Sequence, residues 1–505
     1  MNRDGSRFDH RLQQQVAKFK CTSCQRTTRS PLDYDPSINV FDELRRKLPD
    51  AKRYVITCAQ NATRYHRKFL KSLLVYCKHN DAELLIVPIR YKNPTSTWSE
   101  QAKNHDWWHE DLLPFMFVDR VNLNPNLQLL ADIRVQLTAE KPLTGFETIT
   151  GAMSGIIAHP KIQLNTIATP AHLLPKLMMT TGAVTLSDAY IDSKAGKKGE
   201  FHHTYGACVV ENDGKKFHIR QLNALKNGTF IDLDKKYTPE GVEDAPPAAA
   251  LVMGDTHVQF VDPGVVKATF KDKDSMVAVL KPRALVYHDV LDFYSQNWHD
   301  SKNPFIRFGK HKAGMDKVQE EVALTTQFIN DMTPEGCRAI IVASNHNEGL
   351  ERWIRDHDWR SDPSHMEFYL ETALEMVRGT EMTDSGVSTI DPFKYWAMKM
   401  LSCDVRFLDR DEPYVIQGIE CGFHGDEGPN GAKGSAEAFK RIGAKTIIGH
   451  FHRPEIAEGC YQVGTNSRLK VQYTSGPSSW LHTDCVIYAN GKRSLINIID
   501  GEWKL

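Results

Sequence analysis

Short apolar runs alternate with amphipathic segments along most of the chain. In the N-terminal half, the apolar runs Arg53–Ala59 and Glu83–Ile89 flank the segment Arg64–Asn80, whose apolar residues recur near helical spacing. A strand, a helix and a second strand in this order predict a βαβ unit. The run Glu211-Asn212-Asp213-Gly214 lies between two further apolar segments and predicts a hairpin turn.

The second half of the chain shows a more regular alternation of predicted strands and helices. The predicted strands are Leu251–Met253, Ala284–Tyr287, Ala339–Ala343, Tyr414–Ile419 and Thr446–Ile448, followed by a closing hairpin of Cys485–Tyr488 and Leu495–Ile499. The predicted helices are Lys317–Asn330, Met366–Val377 and Ala432–Arg441. Strands that alternate with helices favour a layered α/β domain.

An abrupt change of composition at Glu243–Ala250, which is rich in proline and alanine, divides the two halves. Such stretches form semi-rigid linkers between domains. We therefore expect an irregular basic segment over 1–50, an α/β domain over 51–243, a linker over 244–250 and a second α/β domain over 251–505. The first α/β domain is a candidate for DNA binding or for oligomerisation.

Charge is unevenly distributed along the 505 residues. The chain has 63 Lys and Arg against 63 Asp and Glu, a formal net charge of zero. Residues 1–100 hold 19 Lys and Arg against 10 Asp and Glu, so an excess of +9 lies there and −9 lies in the remainder. The hydrophobic fraction of 41% excludes a disordered chain. The net charge therefore conceals a basic module of the kind that grips nucleic-acid backbones.

Neither a secretory signal nor an apolar run near 18 residues occurs in the sequence, which predicts a cytoplasmic protein without a membrane span. The ten cysteines are scattered, as expected for free thiols in a reducing compartment. Cys21 and Cys24 form a CxxC pair, but no second pair follows at the spacing of a zinc ribbon. This pair is either half of a zinc site or two ordinary cysteines.

Side chains of metal-binding types follow five of the predicted strands, where open α/β sheets place their sites. They occur in Gly254-Asp255-Thr256-His257, His288-Asp289, Ser344-Asn345-His346-Asn347, His424 and Gly449-His450-Phe451-His452. A lone histidine after a strand is more often a structural residue. In extended chain, however, residues i and i+2 point to the same side, so Asp255 with His257 and His450 with His452 can converge on one ion.

This ordered series resembles the calcineurin-like metallophosphoesterase superfamily over about residues 250–505. The superfamily pattern is D-x-H, GD, GNH(D/E), a lone H and GHxH. This chain departs from it at His288, Ser344, Asn347 and Phe451, and each departure leaves the ligand positions intact. The resemblance implies an α/β fold in which a four-layer α/β/β/α sandwich follows a separate α/β N-terminal domain.

The resemblance also implies a site with two divalent metal ions. One ion would be held by Asp255, His257 and His452, the other by Asn345, His424 and His450, with Asp289 bridging both. His346 would be the catalytic histidine. The mixed carboxylate, amide and imidazole donors suit manganese first, with iron, zinc or magnesium as alternatives. Two such ions activate a hydroxide for in-line attack on a phosphoester.

Further features favour DNA as the substrate of the hydrolase that the resemblance implies. The N-terminal part is basic, and Trp98, Trp107, Trp108, Trp353 and Trp359 are interleaved with charged residues, although core packing is the commoner role of such side chains. Arg352 and Arg355 follow the catalytic histidine at a spacing that reaches flanking phosphates, while Asp292 and Asn347 are expected beside the metal ligands.

The whole chain is similar to two-domain phage-encoded metallophosphoesterase DNA nucleases, which share runs like Cys58–Thr63 and Arg90–Ser96. This similarity implies degradation of host DNA in the host cytoplasm, and it leaves a homo-oligomer open. Two alternatives also stay open. One is a phosphodiesterase or phosphatase acting on a small nucleotide or phosphoprotein, and the other is a non-catalytic metal-binding scaffold.

Overall fold

The computed structural model describes residues 2–9, 14–20, 27–31, 44–90, 107–170, 172–187, 190–300, 302–384, 386–471 and 474–504. Cys21, Cys24, Trp98 and the run after Arg90 lie outside these residues. The chain divides into two compact units. The N-terminal unit is Met1–Thr169, Lys176–Ala245 and Lys504–Leu505, and the C-terminal unit is Pro170–Pro175 and Pro246–Trp503.

Both units combine helices with sheets, some of whose strands are parallel and others antiparallel, so the α/β class expected from the sequence is confirmed. None of the helices in the described ranges has the length and apolar character needed to cross a bilayer.

The N-terminal unit contains fifteen strands within the residues that are described. They are β1 (Asn2–Asp9), β2 (Gln14–Lys20), β3 (Thr27–Pro31), β4 (Arg53–Gln60), β5 (Ala82–Ile89), β6 (Arg120–Asn124), β7 (Leu127–Leu130), β8 (Ser154–Ile157), β9 (Gln163–Ile167), β10 (Lys176–Thr180), β11 (Gly206–Asp213), β12 (Lys216–Asn223), β13 (Phe230–Asp232), β14 (Lys235–Tyr237) and β15 (Val242–Asp244). The helices are α1 (Arg67–His79) and α2 (Lys194–His202), with a 3₁₀ helix at Glu110–Phe115.

The first three strands form an antiparallel sheet in the order β1-β2-β3, in a segment that the sequence analysis expects to be irregular. The difference has a physical reason. Backbone hydrogen bonds between strands can form without a row of apolar side chains. Because this segment is polar and lacks such a row, hydrophobic periodicity does not predict its strands.

The central sheet of the N-terminal unit has the order β12-β11-β4-β5. Strands β4 and β5 are parallel and are joined by α1, and β11 pairs with β12 through a tight turn, so the predicted βαβ unit and hairpin are both confirmed. Helix α1 begins at Arg67, later than predicted, because the side chain of His66 accepts a hydrogen bond from the Phe69 amide and caps the first turn.

The C-terminal unit contains thirteen strands within its described residues. They are β16 (Ala250–Val252), β17 (Ala284–Tyr287), β18 (Arg338–Ile341), β19 (Glu381–Thr383), β20 (Gly386–Ser388), β21 (Val405–Phe407), β22 (Val415–Ile416), β23 (Ile419–Glu420), β24 (Lys445–Ile448), β25 (Glu455–Ala457), β26 (Cys460–Gln462), β27 (Thr483–Ile487) and β28 (Arg493–Asn497).

The C-terminal unit contains eight α-helices within its described residues. They are α3 (Pro263–Val266), α4 (Met276–Leu280), α5 (Pro304–Ala313), α6 (Val318–Met332), α7 (Gly349–Asp356), α8 (Met366–Arg378), α9 (Pro392–Met398) and α10 (Ala436–Phe439). A π-helical turn covers Lys267–Lys271, and short 3₁₀ helices cover Val258–Phe260, Trp298–Asp300, Trp359–Ser361, Pro363–His365 and Pro429–Gly431.

Two groups of strands in the C-terminal unit end beside the candidate ligands. One sheet has the order β21-β18-β17-β16-β27-β28, in which the first four strands are parallel. The other group runs in the order β22-β23-β24-β26-β25, with β23, β24 and β26 parallel. Parallel strands present their carboxyl ends at one edge, so the loops after them lie near one another.

Two predicted elements of this unit differ from the structure. The expected strand Tyr414–Ile419 is a hairpin of β22 and β23, because Gln417 and Gly418 have φ of 51° and 75° and turn the chain back. The expected helix Ala432–Arg441 is only α10, since the backbone of Gly434 lies against the Gly425 carbonyl so closely that a side chain would not fit.

Candidate metal centre

Backbone hydrogen bonds hold the site loops against one another. The loop after β16 lies beside the loop after β17, because the Thr256 amide donates to the His288 carbonyl at 3.0 Å and the His257 amide to the Asp289 carbonyl at 2.7 Å. The Gly449 amide donates to the His424 carbonyl at 2.7 Å and joins the loops after β23 and β24 in the same way.

Four of the candidate ligands have left-handed backbone conformations. The φ angles are 41° at His257, 41° at Asp289, 74° at His450 and 57° at His452. Such a conformation is strained for a residue with a side chain and costs about 1–3 kcal/mol. The candidate ligands therefore converge through tight turns beyond the strand ends, which corrects the expectation that extended chain aligns residues i and i+2.

Four of the predicted ligands form one buried cluster: the ligand atoms of Asp255, His257, Asp289 and His452 all lie within 4.8 Å of one another. His452 Nε2 is 3.1 Å from Asp255 Oδ2 and 3.0 Å from His257 Nε2. His257 Nε2 is 3.7 Å from Asp289 Oδ2. This group corresponds to the first ion that the sequence resemblance implies, together with the bridging aspartate.

A second cluster shares Asp289 with the first. Ligand atoms of Asp289, His424 and His450 lie within 4.8 Å of one another, and His424 Nε2 is 3.1 Å from Asp289 Oδ2. Asn345 lies in the loop after β18, and its side-chain oxygen is buried. Asp289 thus belongs to both clusters.

Several buried oxygens of the site have no hydrogen-bond donor among the described residues. They are Oδ1 of Asp255, Oδ1 of Asp289 and Oδ1 of Asn345. Buried polar groups of this kind are normally hydrogen-bonded or bound to a metal. Because carboxylate, amide and imidazole donors suit borderline to hard divalent cations, the residues present fit such an ion.

Gly449 allows the close packing of this centre. A Cβ atom at this position would lie 2.3 Å from Asp255 Oδ1 and 3.0 Å from the Cβ of His288. Any side chain there would displace the Asp255 carboxylate, so the glycine of the Gly449–His452 motif has a steric reason.

Buried carboxylates and histidines set each other's protonation in this centre. Burial lowers the pKa of His257, but its hydrogen bond to Asp292 and the charges of Asp292 and Asp289 raise it to about 9. Burial likewise lowers the pKa of His424, but the charge of Asp289 and the hydrogen bond to it raise this pKa to about 8. Burial raises the pKa of Asp255, but the hydrogen bond and charge of His452 bring it down to about 2.

Asp292 and His346 form a third group with His257. Asp292 Oδ2 is 2.9 Å from His257 Nδ1, which leaves His257 Nε2 directed at the first cluster. His346 is half-buried, and its Nδ1 donates to the Asp292 carbonyl at 2.7 Å. Since Nδ1 makes this hydrogen bond, Nε2 is the ring nitrogen of His346 that can face a substrate.

The remaining predicted residues have different positions. The Asn347 side chain accepts from the Leu291 amide and donates to the Val342 carbonyl, both at 3.1 Å, so it fixes two loops and does not orient His346. Arg352 Nη2 donates to the Asn345 carbonyl at 2.7 Å. Arg355 is exposed and paired with Asp356 at 2.9 Å, which does not link it to the clusters.

Two of the tryptophans expected to stack on bases, Trp108 and Trp353, are core residues. Trp108 is 6% exposed and donates from Nε1 to the Ala59 carbonyl at 2.9 Å. Trp353 is 7% exposed and packs against Tyr369 and His357. These two side chains contribute to packing, as the commoner role of such residues suggests.

Arg410 links two site loops, although no sequence motif marks it. Its Nε donates to Glu348 Oε1 and its Nη1 to Asp426 Oδ1, both at 2.8 Å. Each acid lies two residues beyond a site histidine, His346 or His424. In the sequence, this pair of acids is the signal that could have pointed to a basic partner. The fold was needed to identify that partner as Arg410.

No protein-family model matches this chain. A curated protein, Protein A1 of Escherichia phage T5, is 32% identical over 472 residues, which cover 90% of this chain and 84% of that protein.

Proposed function

The chain belongs to the family of Protein A1 of Escherichia phage T5, and on this premise we propose that it is a phage metal-dependent phosphodiester hydrolase that cleaves DNA. Its C-terminal unit would be the calcineurin-like catalytic sandwich. The observation that carries the proposal is the pair of clusters sharing Asp289, with buried oxygens that lack a hydrogen-bond donor among the described residues.

Each residue has a defined task in this proposal. Asp255, His257 and His452 would hold one divalent ion, and Asn345, His424 and His450 would hold the other, with Asp289 as a ligand available to both. Ions held there stabilise the negative charge that a phosphodiester develops during hydrolysis. Asp292 fixes the ring of His257 through Nδ1. The Asp292 carbonyl fixes His346 through Nδ1–H, and when the second ring nitrogen also carries a hydrogen, Nε2–H would give that proton to the leaving oxygen.

DNA is proposed as the substrate because the excess of +9 in residues 1–100 suits a polyanion. The test incubates the purified full chain with linear and circular DNA in Mn²⁺, Mg²⁺ or EDTA. We expect cleavage with a divalent ion, none in EDTA, and none in Asp289→Ala. The matched control is Asp331→Ala, an exposed aspartate of α6, which should cleave like the wild type.

Other outcomes separate the alternatives. Hydrolysis of a small chromogenic phosphodiester without cleavage of DNA would assign the enzyme to small substrates. Bound metal without either activity would contradict catalysis and support a scaffold. His346→Ala should keep its metal content and lose cleavage by roughly 10²- to 10⁴-fold, the usual contribution of a proton donor.

A further inference from the structure

A cavity of about 730 Å³ lies in the C-terminal unit beside the candidate centre. Asp292, Asn345 and His346 form part of its wall, so whatever occupies it lies next to the proposed proton donor. The rest of the wall comes from residues 293–300, from α5 and from residues 349–364. A volume of this size falls within the range of roughly 300–1,000 Å³ that holds small organic ligands.

Aromatic side chains at the cavity are unusually exposed. Trp298 is 62% exposed and Phe308 is 66% exposed, and both line the cavity. Trp353 lines it from the interior, and its indole Nε1 has no hydrogen-bond partner within the described residues. Exposed rings beside a reactive centre offer flat apolar surfaces, which bases of nucleic acids cover by stacking.

The cavity wall carries five aspartates, and each lies beside a basic side chain. The pairs are Asp292 with His257 at 2.9 Å, Asp300 with Lys310 at 3.0 Å, Asp316 with His311 at 2.7 Å, Asp356 with Arg355 at 2.9 Å and Asp362 with His365 at 2.9 Å. Arg307 and Arg352 also line the cavity, and across the described residues neither forms an ion pair with a carboxylate. The charge of Arg307 contributes to a lowered pKa of His357, after the larger effect of burial, which places the guanidinium near that part of the wall.

We propose that this cavity is a subsite for an unpaired nucleotide of the DNA substrate. Trp298 and Phe308 stack on its base or on that of its neighbour, and Arg307 binds a phosphate next to the scissile one. Bases in an intact duplex are stacked and paired, so a strand must be single or locally opened before a base enters. The inference rests on the proposed function and adds a preference for single-stranded DNA or frayed ends.

The test measures binding without turnover. A fluorescein-labelled 15-nucleotide strand of mixed sequence, alone or annealed to its complement, is titrated with the full chain in EDTA, and anisotropy gives Kd. We expect the single strand to bind at least about tenfold more tightly than the duplex. Trp298→Ala and Phe308→Ala should each raise the Kd for the single strand roughly 5- to 100-fold, as loss of one stacked base does.

Two matched controls come from the same helix. Phe305→Ala removes a ring that is 86% exposed but does not line the cavity, and Lys312→Ala removes an exposed charge outside it. Both should bind like the wild type. Arg307→Ala should reduce the slope of log Kd against log salt by about 0.7, the value for one single-strand phosphate. Thermal unfolding midpoints confirm that each variant is folded.

Equal Kd values for strand and duplex, or equal losses in Trp298→Ala and Phe305→Ala, would overturn the subsite. The outcome is separate from that of the proposed function. Stacking-dependent binding in EDTA without cleavage in Mn²⁺ would retain the subsite and reject the nuclease. If Trp298→Ala and Phe308→Ala cleave and bind DNA like the wild type in Mn²⁺, the nuclease would be retained and the subsite rejected.

Discussion

Each unit buries a cluster of charged side chains, and the two clusters are built differently. In the N-terminal unit, Arg220 donates from Nε and Nη2 to the two oxygens of Asp232 at 2.7 and 2.8 Å and from Nη1 to Glu211. Arg53 Nη2 donates to the other Glu211 oxygen at 3.1 Å, and Tyr76 also donates to Asp232. Two arginines thus match two carboxylates, and all four carboxylate oxygens have a donor.

The candidate metal centre lacks this balance. It buries Asp255, Asp289 and Asp292 within reach of histidines alone, and several of its oxygens have no donor in the described chain. Among the described residues, the ion pairs of these three aspartates are with histidines, and none is with an arginine or a lysine. A cluster whose carboxylate oxygens all have donors within the protein stabilises the fold without a ligand, whereas buried oxygens without donors could bind a cation. The two clusters therefore differ in the supply of donors and not in burial.

The largest effect is expected from Arg220→Met, which breaks the balanced cluster. Glu211 and Asp232 would remain buried without their main donor, and such a loss costs about 3–5 kcal/mol. Urea unfolding at pH 7 measures it. Divalent ions should not restore the loss, and recovery with Mn²⁺ would show that this cluster, too, binds metal.

The second-largest effect is expected when a divalent ion binds the candidate metal centre. Mn²⁺ at about 100 times its dissociation constant should raise the free energy of unfolding by about 2.7 kcal/mol, because it binds the folded state alone. Thermal unfolding in Mn²⁺ and in EDTA measures the shift. Asp289→Ala should show none, while Arg220→Met should keep it. An identical shift in Asp289→Ala would place the ion elsewhere.

The pH dependence of the free energy of unfolding, measured without metal, distinguishes the candidate metal centre from the Arg220 cluster. The pKa of His257 is raised to about 9 and that of His424 to about 8, from a usual 6.5. Their paired charges therefore stabilise the metal-free fold fully below pH 6.5, and this contribution is lost as the pH rises through 8 to 9. Urea unfolding in EDTA should therefore show a lower free energy of unfolding at pH 9 than at pH 6.5.

The same series has an internal comparison. The arginines of the balanced cluster stay charged throughout this range, so Arg220→Met should lower stability by a similar amount at both pH values. A stability that rises with pH in the EDTA series would contradict the protonation assigned to His257 and His424.

The smallest effect is expected from an exposed pair outside both clusters. Arg355 pairs with Asp356 at 2.9 Å, and its side chain is 60% exposed. Arg355→Ala should change the free energy of unfolding by no more than about 0.5 kcal/mol, as exposed ion pairs usually do. Cleavage by this variant should match the wild type. A large loss of cleavage would return Arg355 to the phosphate-binding role that its sequence position suggests.

The local pattern predicted strands such as Ala284–Tyr287 and Arg53–Gln60 well, because alternation and apolar runs record burial directly. It failed at Gln417 and Gly418, where a turn interrupts an apolar run. Asn347 directly follows His346 in the chain, and its amide holds Leu291 and Val342. Sequence neighbours share a loop, but their side chains can leave it in different directions.

The sequence by itself determined which chemistry is available: which acids and histidines follow which strands, and that their order resembles a metallophosphoesterase. Only the tertiary structure decided which side chains meet. It placed Asp289 in both clusters, tied Glu348 and Asp426 through Arg410, and set Trp298 and Phe308 around one cavity. The physical reason is that donor balance and enclosure depend on contacts between residues far apart in the chain, which local periodicity does not record.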